Sequence, residues 1–413
     1  MQETAALRPH ALANRNFRSL LLWLAGIPIV GTYIWRALLQ PIVFGTEIGD
    51  FRESYMRAAS RLAANSDPYD LCRQVGCLEP TGPQYVMPPL LAWILQPLVG
   101  VNSHVADVVV IVALNASLAV FLFCALRVLR VHDRQLAVLL VLVALAFEPV
   151  MGNIDEGQVN LVLLALSAVW FWGWVADRWW GGLALGATVA IKLIQGPVAV
   201  LVLWARRWSM LAAAAAAGLA LWLVATPQYL FEYLTSVLPA VSGGTGFFEN
   251  HSPGGTIARF LRPDTFLGPE RGSPLAARLI TVAIALAALA ITLIVLRTPA
   301  TKWNGRTLEA AAIVAVGPLI ASYSWGTHLV LLLLPMFVLV AWSVRRHDWV
   351  VLGLVIAGWL LISPAHKAFQ VVLLSHYSNI VVLRLMAEFG VIGIAAIWIA
   401  SLTAVRRERS APS

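Results

Sequence analysis

Long apolar runs separated by short arginine clusters constrain the fold of this chain more than any other feature. The run from Phe17 to Leu39 is one of several that exceed the roughly 18 residues expected of a membrane-spanning helix. This first run is too long for a signal peptide and lacks a cleavage site, so we expect a retained helix. Hydrophobic residues make up 60% of the 413 residues and charged residues only 12%. We therefore predict an all-α polytopic membrane protein, with 1–413 forming one integral membrane domain and acting as a monomer.

The arginine clusters predict the topology, because Lys and Arg concentrate in the cytoplasmic loops of membrane proteins. The net charge of +8 resides largely in these clusters, so we expect no nucleic-acid partner. With every cluster in the cytoplasm, both termini and the tail 406–413 are cytoplasmic, and 40–85 and 228–274 are extracytoplasmic loops. We predict about 10–13 membrane helices, some of them short or re-entrant. The paired crossings are 134–152 with 157–176, 208–227 with 275–297, 308–324 with 328–344, and 349–364 with 379–404.

Two segments are too short to cross the bilayer as simple helices. The first is 88–97, which precedes a crossing at 104–126, and the second is 181–204, with its apex at 191–197. Non-helical backbone at membrane depth is tolerated only where protein or a cavity covers it, so both segments predict a cavity that opens outward. In the alternative topology, 86–100 crosses fully and the cluster at Arg127 faces outward.

The polar motifs at the helix turns all fall on the extracytoplasmic side in this topology. Chance would scatter them over both faces, so we interpret them as parts of one site. The excess of arginine over lysine, with many alanines, suggests a GC-rich bacterial genome and hence a bacterial plasma membrane. The motifs are Asp50, Gln158 with Asn160, the segment 250–252, Trp325 with His328, and His366 with Lys367.

Asp50 is the best-placed carboxylate for chemistry, because it stands where the chain first leaves the predicted bilayer. A general base must lie within hydrogen-bond reach of the hydroxyl that it deprotonates, and a base at the membrane surface suits a lipid substrate. Glu53 would share a helix face with Asp50 and is the reserve candidate. The alternative is an amphipathic helix along the interface whose charges are simply solvated.

Lys192 lies at the predicted apex of the broken segment 181–204. A buried cation near the bilayer centre costs about 2.5–3.5 kcal/mol, so such residues are usually paired or functional. A lipid phosphate would be a suitable partner, since the lysine ammonium acts as a point charge toward phosphate oxygens. The alternative is an ion pair with Asp155 or Glu156.

The histidines and the loop around 250 are weaker candidates. Two glycines after Ser252 allow close backbone approach, which is typical of a binding loop. His251, His328 and Lys367 suit substrate or phosphate contacts, but each is equally typical of a helix cap or an interfacial anchor.

Several kinds of site lack support in the sequence. It contains no Asp-x-Asp pair and no His/Glu cluster with ligand spacing, so we expect no metal and no cofactor. It also lacks a glycine loop of the kind that cradles nucleotide phosphates, so a sugar donor would come from the lipid phase. Cys72 and Cys77 lie in the first extracytoplasmic loop, where an oxidising compartment would permit a disulfide between them.

In their order and spacing, the motifs resemble the polyprenyl-phosphate-dependent glycosyltransferases of the GT-C superfamily, specifically glycosyltransferase family 87. The resemblance extends from Gly49 to about Pro335. Its motifs are Gly49-Asp50-Phe51 with Tyr55, Asp67-Pro68-Tyr69, Met87-Pro88-Pro89-Leu90, Gly157-Gln158-Val159-Asn160, Ile191-Lys192-Leu193, Asn250-x-Ser252, and Ser324-Trp325 with His328.

The resemblance implies a GT-C-type helical bundle and an inverting transfer of a sugar, most simply mannose. Asp50 would deprotonate a hydroxyl of a glycolipid or cell-envelope glycan, and polyprenyl phosphate would leave. The residues that would contact the donor phosphate or a substrate are Lys192, His328, His251, Gln158, Asn160, Asn250, Ser252, Glu53, Tyr55, Trp325 and Lys367.

Other functions match parts of the pattern. A polyprenyl-phosphate arabinofuranosyltransferase would require the same motifs. A lipid transporter or flippase also places polar residues in broken helices, but transporters often contain internal repeats, and none is evident here. A purely structural envelope subunit leaves Lys192 unexplained. The resemblance to family 87 implies a hexosyltransferase, most simply a mannosyltransferase.

Overall fold

The structure of the chain is a computed structural model that describes residues 8–46, 48–70, 84–225, 227–262, 266, 274–374 and 380–410. Within these ranges the chain consists of α-helices joined by short 3-10 and π segments, without a β-strand. The predicted all-α class is confirmed. Cys72 and Cys77, the two cysteines of the predicted disulfide, lie outside the described residues.

The helices follow one another with short connections. In the first half of the chain they are α1 (Arg8–Ile34), α2 (Gln40–Val43), α3 (Arg57–Ala63), α4 (Leu90–Leu95), α5 (Ser103–Val128), α6 (Arg134–Leu145), α7 (Glu148–Asp155), α8 (Asn160–Ala176), α9 (Gly181–Ile191), α10 (Gly196–Trp204) and α11 (Trp208–Val224). In the second half they are α12 (Pro227–Glu232), α13 (Leu238–Ser242), α14 (Pro253–Leu261), α15 (Leu275–Leu296), α16 (Trp303–Ile320), α17 (Leu333–Arg346), α18 (Trp349–Ile362), α19 (Pro364–Leu374), α20 (Ile380–Ala387) and α21 (Phe389–Ser410).

Six helical segments in the described part of the chain are long and apolar enough to cross a membrane. Two bent pairs add to them: α6 with α7, bent by 48°, and α11 with Pro227–Ser242, bent by 115°. Shorter apolar helices are α8, α9 and Leu193–Trp204. The predicted polytopic fold with short and broken segments is confirmed. The six long segments are Ser19–Val43, Ser103–Val128, Leu275–Leu296, Gly326–Arg346, Trp349–Val372 and Val381–Ser410.

Both segments predicted to be irregular are interrupted or short. α9 ends at Ile191, Lys192 is extended with φ −157° and ψ 127°, and a 3-10 turn at Leu193–Gln195 leads into α10. α4 and the 3-10 turn after it reach only from Leu90 to Leu98. At 1.5 Å per residue that is about 14 Å, against a hydrocarbon core of about 30 Å. The helical part of 86–100 is therefore too short to cross by itself.

The core of the bundle surrounds α16. All residues from Thr307 to Leu319 are buried, and so is most of the segment Gly326–Arg346. α16 packs against α8, α10, α15, α17 and α21. A helix that is apolar on nearly every face is stable only where neighbours cover every face, so α16 is central.

The charged residues contact one another at the end of the bundle where α8 terminates. Arg207 lies over the ring of Trp174, 3.7 Å from its centroid, and Arg306 pairs with Asp177 at 3.1 Å. α8 begins at Asn160, among the polar motifs, and is about 25 Å long. The arginine clusters and the polar motifs therefore occupy opposite ends, as the topology predicts. Further contacts at the basic end join Arg130 with Trp303, Arg346 with Glu408, and Arg409 with Glu309.

Candidate functional site

Asp50 stands at the start of the helical turn that follows the first long segment. It is the N-cap of the π segment Phe51–Met56. Its carboxylate accepts a hydrogen bond from the amide of Gln158, whose oxygen accepts one from the hydroxyl of Tyr55 at 2.6 Å. Burial raises the pKa of Asp50 above its ordinary value, while the Gln158 hydrogen bond and the charge of Lys192 lower it in part. The carboxylate is thus partly desolvated and held in a defined orientation.

Lys192 directs its ammonium at two neutral partners. Nζ lies 3.0 Å from Oδ1 of Asn160 and 2.8 Å from Nε2 of His328. An ammonium only donates, so Nε2 of His328 accepts from Lys192. The same contact orients the Asn160 amide, whose buried Nδ2 has no hydrogen-bond partner among the described residues. The third N–H of Lys192 and the Asn160 amide are therefore open donors.

Lys192 forms no ion pair within the described part of the chain, so the alternative pairing with Asp155 or Glu156 is not found. Asp155 pairs instead with Arg36 at 2.5 Å, and Glu156 lies against the backbone of Gly49. An ammonium with an open N–H and no carboxylate partner suits an anionic ligand, and a phosphate has the matching chemistry.

The turn between α7 and α8 positions the Asp50 carboxylate relative to the Lys192 ammonium. Gly157 has a φ of 64°, a conformation that L side chains rarely adopt. The next residue, Gln158, meets Asp50, and Asn160, two positions on, meets Lys192. The two charged groups are therefore held at two points of a single turn, whose geometry sets their separation.

The second large loop is tied down by Asn250 and Ser252. The Asn250 amide donates to the carbonyls of Thr245 and Ser322 at 2.9 and 3.1 Å, and its oxygen accepts from the N–H of Ser324 at 3.0 Å. Ser252 caps the start of α14 and also donates to the Ser322 carbonyl at 3.1 Å. Both side chains are engaged by the protein itself, and their role as substrate contacts stays a prediction.

His251 joins this loop to the Lys192 site. Its ring packs edge to face on His366, with centroids 4.7 Å apart. A Cβ on Gly326 would be 3.5 Å from Nε2 of His366 and 3.9 Å from Nε2 of His251. Gly326 and Trp325 start the 3-10 turn that carries His328. Burial lowers the pKa of His251 well below its ordinary value, so this ring is neutral at physiological pH.

Lys367 and Glu53 lie outside this network. Lys367 pairs with Glu148 at 2.9 Å. Glu53 is exposed, and its charge raises the pKa of Asp50. The assignment of either residue to substrate binding stays a prediction. No group of three His, Cys, Asp or Glu side chains in the described ranges is placed to hold a metal ion.

Sequence reasoning did not identify the ion pairs around the site. Arg259 is only 3% exposed, pairs with Glu388 at 2.9 Å and donates to the carbonyl of Asn250 at 2.9 Å. The two charged partners are 129 positions apart, and Arg36 and Asp155 are 119 apart, so no local pattern links them. The one available signal was Arg36 itself, an isolated charge inside the first apolar run.

A cavity of about 260 Å³ opens beside the Asp50 segment. Arg36, Gln40, Thr46 and Asp155 contribute polar groups to its lining, and Ile48, two residues before Asp50, forms part of its wall. Such a cavity has room for a polar group beside the segment that leads into Asp50.

Comparison with known proteins gives a consistent result. The profile of glycosyltransferase family 87 matches residues 85–320, more than half of the chain. A polyprenol-phosphate-mannose-dependent alpha-(1-2)-phosphatidylinositol pentamannoside mannosyltransferase from Mycolicibacterium smegmatis is 32% identical over 199 residues, 45% of this chain and 46% of that protein. Its namesake from Mycobacterium tuberculosis is 29% identical over 250 residues, 57% of this chain and 54% of that protein. An alpha-(1->3)-arabinofuranosyltransferase from Mycobacterium tuberculosis is 28% identical over 179 residues, 41% and 40% of the two chains.

The chain matches about half the length of these relatives. Gln158, Asn160 and Lys192 fall inside the residues that the family profile covers, and Asp50 precedes them. With a helical membrane bundle and a profile match over more than half of its length, the chain belongs to glycosyltransferase family 87.

Proposed function

We propose that this protein is a membrane glycosyltransferase that moves mannose from a polyprenyl-phosphate donor to a glycolipid or cell-envelope glycan. Transfer takes place on the extracytoplasmic face of a bacterial plasma membrane. The observation that carries the proposal is the turn 157–160, which holds Gln158 against Asp50 and Asn160 against Lys192. A base for the acceptor and a cation for the donor phosphate are thereby kept in one site.

Asp50 is the general base in this reaction. Its carboxylate takes the proton of the acceptor hydroxyl as the hydroxyl oxygen attacks the anomeric carbon. The bond from that carbon to the phosphate oxygen breaks, and its electrons leave with the phosphate. Attack opposite the leaving group inverts the configuration. Gln158 orients the Asp50 carboxylate, and Tyr55 in turn orients Gln158.

Lys192 stabilises the leaving group. Polyprenyl phosphate gains negative charge as the glycosidic bond breaks, and a preorganised cation stabilises such charge best where little water is present. The open N–H of Lys192 and Nδ2 of Asn160 are the donors available to the phosphate oxygens. His328 accepts a hydrogen bond from Lys192 and so orients the ammonium without neutralising it.

Mannose is favoured over arabinofuranose as the transferred sugar. The relatives named as mannosyltransferases match 57% and 45% of this chain, and the arabinofuranosyltransferase matches 41%. The experiment described next therefore also includes an arabinofuranosyl donor.

The test uses the purified protein in proteoliposomes that contain a bacterial lipid extract as acceptor. Radiolabelled polyprenyl-phosphate mannose or its arabinofuranosyl counterpart is added as donor. We expect label to enter the acceptor from the mannosyl donor, with one polyprenyl phosphate released per sugar. Transfer from the arabinofuranosyl donor alone would replace the sugar assigned here. Movement of donor lipid between leaflets without cleavage would identify a transporter and overturn the proposal.

A further inference from the structure

The Asp50 segment and the turn after α7 interlock through their backbones. The N–H of Phe51 donates to the carbonyl of Glu156 at 3.0 Å. Gly49 lies so close to Glu156 that a Cβ there would be 2.2 Å from Oε2. In the other direction, a Cβ on Gly157 would be 2.5 Å from the Cβ of Phe51. A methyl group on Gly49 or on Gly157 would therefore overlap with atoms of the opposite segment.

Glu156 lies next to the peptide N–H groups at the start of the Asp50 segment, and it provides acceptors for them. Its carboxylate interacts with the N–H of Asp50, and its carbonyl takes the N–H of Phe51. The first N–H groups of a helix have no partner inside the helix, and a negative group near them is stabilising. An aspartate that caps its own helix has non-helical backbone angles, but Asp50 is helical, with φ −60° and ψ −32°, and its side chain makes no such bond. The cap comes from Glu156 instead.

We propose that Glu156 is a positioning residue, which caps the Asp50 turn so that the Asp50 carboxylate stays on Gln158 and faces the acceptor hydroxyl. This inference rests on the proposed function, because it assigns Glu156 a role through Asp50. Glu156 is exposed and does not need to contact either substrate.

The negative charge of Asp50 acts on Glu156. Partial burial raises the pKa of Glu156, and the charge of Asp50 raises it further. The pKa of Asp50 itself is raised by burial and by Glu53 and is lowered in part by Gln158 and Lys192. The role proposed for Glu156 therefore depends on the position of Asp50 and not on its ionisation.

Three variants separate positioning from a general loss of structure. Glu156→Ala removes the carboxylate but keeps the carbonyl that takes the N–H of Phe51. We expect kcat to fall about 100-fold, the effect of a misplaced reacting group, with an unchanged KM for the donor. Glu156→Gln keeps an oxygen acceptor, so it should retain most of kcat, with the acid limb of its pH profile where the wild type has it. Gly49→Ala displaces the carboxylate and should behave like Glu156→Ala. Because both act on one contact, the double variant should be no slower than the slower single variant.

Asp177→Asn is the matched control. It also changes a carboxylate to an amide, at the far end of α8, and its φ of 58° suits asparagine. We expect wild-type kinetics. Wild-type kcat in Glu156→Ala, with Asp50→Asn inactive, would overturn the inference and leave the proposed function intact. Activity in Asp50→Asn would instead overturn the proposed base. If Glu156→Ala does not fold, Glu156→Gln and Gly49→Ala still decide: kcat kept in the first and lost in the second, at an unchanged donor KM, supports the inference, and wild-type kcat in Gly49→Ala overturns it.

Discussion

At the scale of single residues, Asp50 is held by groups from a distant part of the chain. Gln158 donates to its carboxylate, and Tyr55 holds Gln158 at 2.6 Å. Burial disfavours the charged form, and the positive charge of Lys192 partly restores it. A base that is partly desolvated and fixed in direction loses little of its reactivity to reorganisation of water.

Replacing Asp50 by asparagine should lower kcat by about 10²–10⁴-fold, the usual contribution of a general base, with little effect on donor KM. Steady-state transfer of radiolabelled sugar in proteoliposomes measures both constants. Asp133→Asn is the control, because Asp133 caps α6 at the other end of the bundle and asparagine caps equally well. Full activity of Asp50→Asn would exclude Asp50 as the base.

The pH dependence of kcat should follow the ionisation of Asp50. Since burial raises the pKa of Asp50, the base becomes protonated, and activity is lost, at a higher pH than for an exposed aspartate of pKa about 3.9. Lys192→Met lacks the positive charge that favours the ionised carboxylate of Asp50. The acid limb of its kcat profile should therefore lie at a still higher pH. Profiles of kcat between pH 4 and 8 on the two proteins make the comparison. An acid limb that moves to lower pH in Lys192→Met would contradict the proposed effect of the Lys192 charge on Asp50.

Lys192→Met should also lower kcat by about 10²–10³-fold, as does loss of one donor to a developing negative charge. Methionine has a similar length and no charge, so packing is largely kept. Lys302→Met is the control, since Lys302 is exposed at the start of α16. Single-turnover release of polyprenyl phosphate measures the bond-breaking step. A change in donor affinity alone, with kcat intact, would show that Lys192 only binds the donor.

At the scale of elements, interruptions of the helices create the site. α9 breaks at Lys192, and a 3-10 turn at Gly326–Leu332 presents His328 to it. The segment Phe51–Met56 is a π turn, a form that often occurs at functional positions. Irregular backbone at membrane depth needs protein around it, and the tightly packed α16 and α17 provide that cover.

Arg259 and Glu388 form a buried ion pair beside the second large loop. We expect removal of one partner to destabilise the protein more than removal of the other. Arg259 is 3% exposed and Glu388 22%, so removal of Glu388 leaves a cation without access to water. We expect Glu388→Ala to destabilise the protein by about 3 kcal/mol, and Arg259→Met by less, because the carboxylate can turn to solvent. Thermal unfolding in one detergent compares the two. Equal losses for both variants would contradict this explanation.

At the scale of the whole molecule, the bundle has a basic end and an end that carries the candidate site. Arg207, Arg306 and Arg409 link helix termini at the basic end. The positive-inside rule predicts that the basic end lies in the cytoplasm and the candidate site outside.

Cysteine labelling tests this orientation. In a background of Cys72→Ser and Cys77→Ser, a membrane-impermeant maleimide added to intact cells should label Glu53→Cys and leave Arg206→Cys unlabelled. Both positions bear exposed side chains, at the site end and the basic end respectively. Permeabilised cells provide the control in which both react. The reverse pattern would place the site on the cytoplasmic side.

Most of the candidate site residues were predicted from the sequence, but their contacts were not. Asp50 and Lys192 stand out because a charge beside or inside an apolar run is costly, and that cost depends only on nearby residues. Their mutual arrangement depends on Gln158 and Asn160, and the roles of Glu156 and Arg259 emerge only once distant segments are packed together.

The sequence by itself determined the all-helical membrane class, the two-ended distribution of charge and the breaks around 88–97 and Lys192. Each follows from local hydropathy, charge or helix length. Only the tertiary structure decided that Lys192 meets Asn160 and His328, which are 32 and 136 positions away, rather than Asp155 or Glu156. Helix packing sets those distances, and packing depends on side-chain shapes across the whole bundle, which no local pattern encodes.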